Sequence, residues 1–205
     1  MVGPLLTLLA VAVYGALHSV LAAPAAKALA RQALGASADR YYRVTYNLIA
    51  AVTFVPVLAV AALAPGRVLF RVPSPWWILA VVGQAAGLVL VVAGLLETDV
   101  WHFLGLRQLS APQPEAHSPL IVTGLYRWVR HPLYAAGLAV LWLSPIMTTS
   151  LLAFSATLTV YILIGYRLEE RRLLDAFGPA YDDYRRQVPA LIPLPGRAHV
   201  PAHDE

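Results

Sequence analysis

Long apolar runs constrain this chain more than any other feature. Five stand out, over residues 4–23, 44–64, 76–96, 132–147 and 151–166. A helix rises about 1.5 Å per residue, so roughly 20 apolar residues cross the hydrocarbon core of a bilayer, about 30 Å thick. Inside that core every backbone N–H and C=O must be bonded within the protein, and a helix does this within one segment. The runs therefore predict an all-α fold, a polytopic integral membrane protein of about five transmembrane helices. Composition agrees: 13% of residues are charged and 59% hydrophobic, where a water-facing domain carries about 25% charge. The first run has no basic segment ahead of it and reads as a span, not as a cleavable signal. Pro145 and Thr148-Thr149-Ser150 punctuate the last two runs and predict a tight helical hairpin.

Orientation follows from the basic residues. Lys27, Arg31, Arg40 and Arg43 lie between the first two runs, and Arg107, Arg127 and Arg130 between the third and fourth. Arg167, Arg171, Arg172, Arg185, Arg186 and Arg197 follow the fifth, and only Arg67 and Arg71 fall on the opposite side. The expected topology has the N-terminus outside and the C-terminus cytoplasmic, in a bacterial-type inner membrane. Nucleic-acid binding is excluded as the meaning of the net charge of +4, because the arginines flank apolar helices. Trp76, Trp77 and Trp101 sit near expected span ends, as interfacial anchors do. With no cysteine, disulfides, a thiolate nucleophile and cysteine-ligated metals are excluded.

The polar residues that carry chemistry concentrate in two stretches on the expected cytoplasmic side. In Gly124-Leu-Tyr-Arg-Trp-Val-Arg-His-Pro-Leu-Tyr134, Pro132 fits the first turn of a helix. The free N–H groups at that helix start favour an anion. Arg130 suits a carboxylate, and His131 and Tyr134 suit a ribose or a carboxylate. A basic membrane anchor explains the same residues, and the sequence alone leaves both readings open. In the second stretch, Glu169 and Glu170 directly follow the fifth apolar run, where ionisable groups are costly and mark functional sites. Such a carboxylate pair can hold the ammonium of an amino-acid-like cofactor. Beyond it an amphipathic, interfacial helix is expected, with Leu173, Leu174, Phe177, Tyr181 and Tyr184 on its apolar side.

Taken in order, Arg130-His131-Pro132-x-Tyr134, Glu169-Glu170-x-x-Leu173, Phe177-Gly178-x-x-Tyr181-x-x-Tyr184, Val188-Pro189 and Ile192-Pro193 resemble the isoprenylcysteine carboxyl methyltransferase and phospholipid methyltransferase superfamily. The resemblance covers about residues 118–193 and implies a methyltransferase core over 98–205, behind N-terminal helices over 1–97. It also implies S-adenosylmethionine as cofactor. By that resemblance Ser118, Pro119, Leu120 and Ile121 lie beside the cofactor. Tyr126, His131, Pro132 and Tyr134 contact it, and Glu169 binds it, with Glu170 nearby. Gly165 stands where the isoprenylcysteine enzymes carry an arginine, four positions before the glutamate, which argues against a prenylcysteine carboxylate as acceptor. A narrower resemblance, to bacterial methanethiol S-methyltransferases and their NnrU-like relatives, rests on Asp99-Val-Trp-His-Phe-Leu-Gly-Leu-Arg-Gln108, on 142–154, on 157–170 and on His18-Ser19. It implies a small thiol acceptor, with isoprenylcysteine carboxyl O-methylation or phospholipid N-methylation as the alternatives.

A thiol must lose its proton before it accepts a methyl group. His102, Asp99 and His18 are the candidate bases, and His102, Asp99 and Arg130 form the expected catalytic set. The expected partners are a small-molecule or lipid substrate and membrane lipids, with no obligate protein partner. No metal site is assigned. A reading of another class makes His18, His102 and His131 ligands of a haem or metal. They match no metal-binding spacing. A transporter is disfavoured by the small number of spans and the lack of an internal repeat.

Overall fold

The computed structural model describes residues 2–110 and 119–195. Its elements run α1 (Val2–Ala22), α2 (Pro24–Leu34), α3 (Ala36–Leu63), β1 (Val68–Arg71), α4 (Trp77–Glu97), α5 (Val100–Leu104) and α6 (Leu106–Ser110). After a 3-10 turn at Gly124–Arg127 come α7 (Pro132–Trp142), β2 (Ile146–Thr148), α8 (Thr149–Phe177) and α9 (Pro179–Gln187). Among the described residues α1, α3, α4 and α8 are long and apolar enough to cross a membrane, with 21, 28, 21 and 29 residues. Those lengths rise about 32 to 44 Å, enough for a core of about 30 Å. Leu5, Leu9, Val13, Leu48, Val55, Leu79 and Val89 on these helices are exposed, an arrangement that suits lipid and that water penalises. The protein is a multi-pass, all-α membrane protein.

The fourth apolar run departs from expectation. Its helix α7 has 11 residues and rises about 16 Å, half of the core. Pro145 disfavours helical backbone at the residue before it, and the chain goes on as an extended strand. That strand, β2, pairs antiparallel with β1, Val68 opposite Thr148 and Arg71 opposite Ile146. The connection at 148–150 is thus a strand running directly into α8, not a tight helical hairpin. The Thr148 hydroxyl caps α8 by accepting the Leu151 N–H at 3.1 Å.

Two helices are longer than their apolar runs. α3 begins at Ala36 and carries Asp39, Arg40 and Arg43 within it. α8 continues past the glutamates to Phe177. Gly178, with φ +54 and ψ −128, ends it in a positive-φ conformation that glycine adopts freely, and Pro179 starts α9. The expected interfacial helix is therefore divided, with Leu173, Leu174 and Phe177 on α8 and Tyr181 and Tyr184 on α9. These residues still pack together.

Among the described residues the chain forms two compact units, one of 2–71, 99–110 and 146–158, the other of 72–98, 119–145 and 159–195. In the first, the Tyr42 hydroxyl of α3 donates to the Leu21 carbonyl of α1 at 2.7 Å. Ser150 Oγ donates to the Ala64 carbonyl at 2.6 Å. In the second, α4 lies along α7. Gln84 Nε2 donates to the Val140 carbonyl at 2.8 Å, and Trp142 Nε1 donates to Thr159 Oγ1 at 3.0 Å.

Candidate active site

The second unit gathers its polar side chains where α7 begins. Pro132, buried, is the first helical residue, and His131 stands just before it. The backbone there is tied to the segment after α9: Arg130 N–H donates to the Pro189 carbonyl at 2.9 Å and His131 N–H to the Ala190 carbonyl at 3.0 Å. Arg130 then reaches α8. Its Nε donates to Glu170 Oε1 at 2.8 Å, and its Nη2 contacts the same oxygen. Its Nη1 donates to the Arg185 carbonyl at 3.1 Å and to the Val188 carbonyl.

The two glutamates differ in kind. Glu170 is 12% exposed and Arg130 9%, so theirs is a mostly buried ion pair, and His131 Nε2 lies 3.2 Å from Glu170 Oε1. The Glu169 side chain is 45% exposed. It accepts the Tyr134 hydroxyl at 2.9 Å and stands 3.8 Å from His131 Nδ1. The buried His131 ring stacks on Tyr134 and meets Tyr166 at a tilt, with centroids 5.6 and 5.4 Å away. Sequence reasoning missed Tyr166. The signal was present, since Tyr166, Glu169, Glu170 and Leu173 recur at helical spacing and share one face of α8.

A clamp supports this cluster. Tyr181, Tyr184 and Val188 are buried, with Leu120 and Val122 packed on them, and the Tyr184 hydroxyl donates to the Tyr126 carbonyl at 2.6 Å. Burial pushes the Tyr126 phenol up to about 12, and the Glu169 and Glu97 carboxylates add to the shift. Burial also raises the Tyr181 and Tyr184 phenols. Glu97, a second residue the sequence reading did not single out, accepts the Leu125 N–H at 2.8 and 3.1 Å. Gly124 turns there with φ +59, and a Cβ at that position would collide with the Glu97 carboxylate. Of the remaining expected cofactor neighbours, Pro119 is exposed and Ile121 partly buried. Ser118 lies outside the described residues.

His102 and Asp99 form a cluster of their own within the first unit. Asp99 caps α5 by accepting the His102 N–H at 3.0 Å and pairs with Arg107 at 2.8 Å. The buried Gln108 places Nε2 3.1 Å from His102 Nδ1. Burial, then the Arg43 charge, hold the His102 ring below its usual range, with Arg107 and Lys27 adding to this and Asp99 opposing it. His18 meets the Tyr46 hydroxyl at 2.8 Å. Each histidine weighed as a metal ligand therefore has its own protein partner. Among the described residues no three His, Asp or Glu side chains form a group able to hold a metal ion.

The family model described as NnrU protein matches residues 6–194. The chain belongs to the NnrU family. Methanethiol S-methyltransferase 1 of Bradyrhizobium diazoefficiens is 32% identical to this NnrU chain over 197 residues, covering 92% of the chain and 66% of that protein. Methanethiol S-methyltransferase of Crocosphaera subtropica is 39% identical over 116 residues, 55% of the chain and 46% of that protein. Protein-S-isoprenylcysteine O-methyltransferase of Saccharomyces cerevisiae is 31% identical over 117 residues, 53% of the chain and 48% of that protein. The chain spans about half to two thirds of the length of these relatives. No solved structure matches. These relatives bear out the resemblance carried by the Arg-His-Pro and Glu-Glu motifs.

Proposed function

We propose that this NnrU-family protein is an integral-membrane methyltransferase that uses S-adenosylmethionine and methylates a small thiol. The observation that carries the proposal is the division between the two glutamates: Glu170 is neutralised by Arg130, while Glu169 keeps an exposed carboxylate held by Tyr134. An exposed, anchored carboxylate beside aromatic rings suits a ligand bearing an ammonium and a sulfonium. S-adenosylmethionine supplies an electrophilic methyl group on its sulfonium sulfur. Glu169 and His131 would hold its amino-acid end, with Tyr134 fixing the carboxylate. Tyr126 and Pro119 to Ile121, with Ser118, complete the expected contact set.

Within the first unit, burial and then the Arg43 charge hold His102 below its usual range, which favours its neutral, proton-accepting form. Asp99 is a scaffold residue in this reading, since α5 and Arg107 occupy its carboxylate. The thiol acceptor draws on the methanethiol S-methyltransferases among the relatives and on Gly165, which offers no cation to an acceptor carboxylate. The orientation proposed from the arginines puts the C-terminus in the cytoplasm, and reporter fusions to that end test it.

The test of function is a competition. Purified protein in detergent receives labelled S-adenosylmethionine with methanethiol, a farnesylated cysteine analogue and phosphatidylethanolamine at equal concentration. The expected labelled product is the methyl thioether. A labelled farnesyl ester or N-methylated lipid in its place overturns the thiol reading, and no labelled product overturns the enzyme.

A further inference from the structure

The contrast between Glu169 and Glu170 falls on the His131 ring that lies between them. Glu170 Oε1 takes Arg130 Nε at 2.8 Å and stands 3.2 Å from His131 Nε2. Arg130 is itself held from a second side, by the Arg185 and Val188 carbonyls. A guanidinium stays charged at any physiological pH, so the carboxylate against it stays ionised and can only accept hydrogen bonds. A neutral imidazole has one N–H and one lone pair. Carboxylates flank both ring nitrogens, and a neutral ring can donate to only one; the closer, Glu170 at 3.2 Å against 3.8 Å for Glu169, takes the N–H. His131 therefore protonates Nε2 and turns an Nδ1 lone pair towards Glu169 Oε2, 3.8 Å away. That oxygen already takes the Tyr134 hydroxyl at 2.9 Å.

We infer that the Arg130–Glu170 pair is a positioning device that locks His131 in the Nε2–H tautomer, so that His131 Nδ1 and the Glu169 carboxylate present an acceptor-only face suited to a primary ammonium group. Arg130 and Glu170 then act through His131 and do not touch the ligand. The inference rests on the proposed cofactor and adds to it. The ammonium end of the amino-acid moiety is read here, and a carboxylate in the same place would meet an anion and a lone pair. A cofactor analogue that keeps the amine but lacks the carboxylate should bind at this face. One that keeps the carboxylate but lacks the amine should not.

The test uses the full chain in detergent with 15N-labelled histidine, and His131→Asn assigns the signals. Two-bond nitrogen–proton spectra at mildly alkaline pH should show Nδ1 as the bare nitrogen and Nε2 as the protonated one. Glu170→Gln keeps the shape and removes the anion, and it should shift the ring towards Nδ1–H. It should also weaken S-adenosylmethionine binding about tenfold, the effect of one lost charge-assisted hydrogen bond. The deaminated analogue should lose a similar factor on the unaltered protein, and the decarboxylated analogue should not. Nδ1–H or a doubly protonated ring in the unaltered protein overturns the inference, as does an unmoved tautomer in Glu170→Gln. Should that variant fail to fold, the unaltered spectrum and the two analogues decide. If the tautomer is as stated but S-adenosylmethionine does not bind, the cofactor reading falls and the lock stands.

Discussion

Arg43 and Arg130 each serve a histidine, and they do so differently. Arg43 Nη1 donates to the backbone carbonyl of His102 at 3.0 Å. Along the same helix Asn47 Nδ2 donates to the Phe103 carbonyl at 2.9 Å and Arg40 Nε to the Leu109 carbonyl at 2.7 Å. Spaced three and seven residues apart, these side chains hold the short helices α5 and α6 by their main chain. Around His131 the decisive contacts run from side chain to side chain: Arg130 to Glu170, Glu170 to His131, Tyr134 to Glu169. A carbonyl clasp fixes where a segment lies. A carboxylate against an imidazole also fixes which nitrogen holds the proton. The first region is mainly scaffold, and the second sets donor and acceptor pattern.

Removing the arginine of each ion pair gives the largest contrast. Arg130→Ala leaves the mostly buried Glu170 with only His131 of these partners, and should cost about 3 kcal/mol of stability, the low end for breaking such a pair. Arg107, with a side chain 65% exposed against Asp99, should cost about 0.2–1 kcal/mol as Arg107→Ala. Denaturant titration in detergent reads both, and equal losses would break the comparison. Next come the residues assigned to the ligand. Glu169→Ala and His131→Ala should each weaken S-adenosylmethionine binding roughly ten- to a hundredfold, from about 1.5–3 kcal/mol per charge-assisted hydrogen bond. Asn47→Ala should lose about 1 kcal/mol of stability and leave that affinity unchanged. Calorimetry on the three variants separates ligand binding from scaffolding.

The two regions should also respond to opposite ends of the pH scale. His102 titrates lower in the folded protein than its usual value near 6.5. Its contribution is therefore complete above that pH and is lost as pH falls through the folded value. The Tyr126 phenol moves from 10 up to about 12. Its contribution is complete below pH 10 and is lost as pH rises towards 12. Hydrogen exchange should thus rise at 100–110 in mild acid and at 119–131 in alkali, and Tyr126→Phe should reduce the alkaline response, the raised Tyr181 and Tyr184 phenols supplying the rest. The most local effect belongs to Glu97→Ala. It removes the acceptor of the Leu125 N–H and should cost about 0.5–1.5 kcal/mol, seen as faster exchange confined to the Gly124–Arg127 turn.

Much of the architecture was legible because hydropathy reports contact with lipid, and lipid contact sets span length. The ends of α1 and α4 fall within a residue or two of the apolar runs. Legibility failed where hydrogen bonding decided. Residues 143–148 look as apolar as the helix before them, yet Pro145 and the partner strand β1 draw them into extended backbone. α3 and α8 outrun their apolar windows because a helix ends at a breaker such as Gly178, not where its side chains turn polar.

The glutamate pair marks the same division at the site. Sequence alone determined that Arg130, His131, Tyr134, Glu169 and Glu170 belong to one motif set at the ends of apolar helices, and that the chain lives in a membrane. The family resemblance set Glu169 at the cofactor with Glu170 nearby, but the two carboxylates are adjacent and chemically identical, and their residue types alone do not say what each one meets. Tertiary structure decided that, because successive residues on a helix point about 100° apart. Glu170 therefore turns to an arginine forty positions earlier, and Glu169 turns to Tyr134 and solvent.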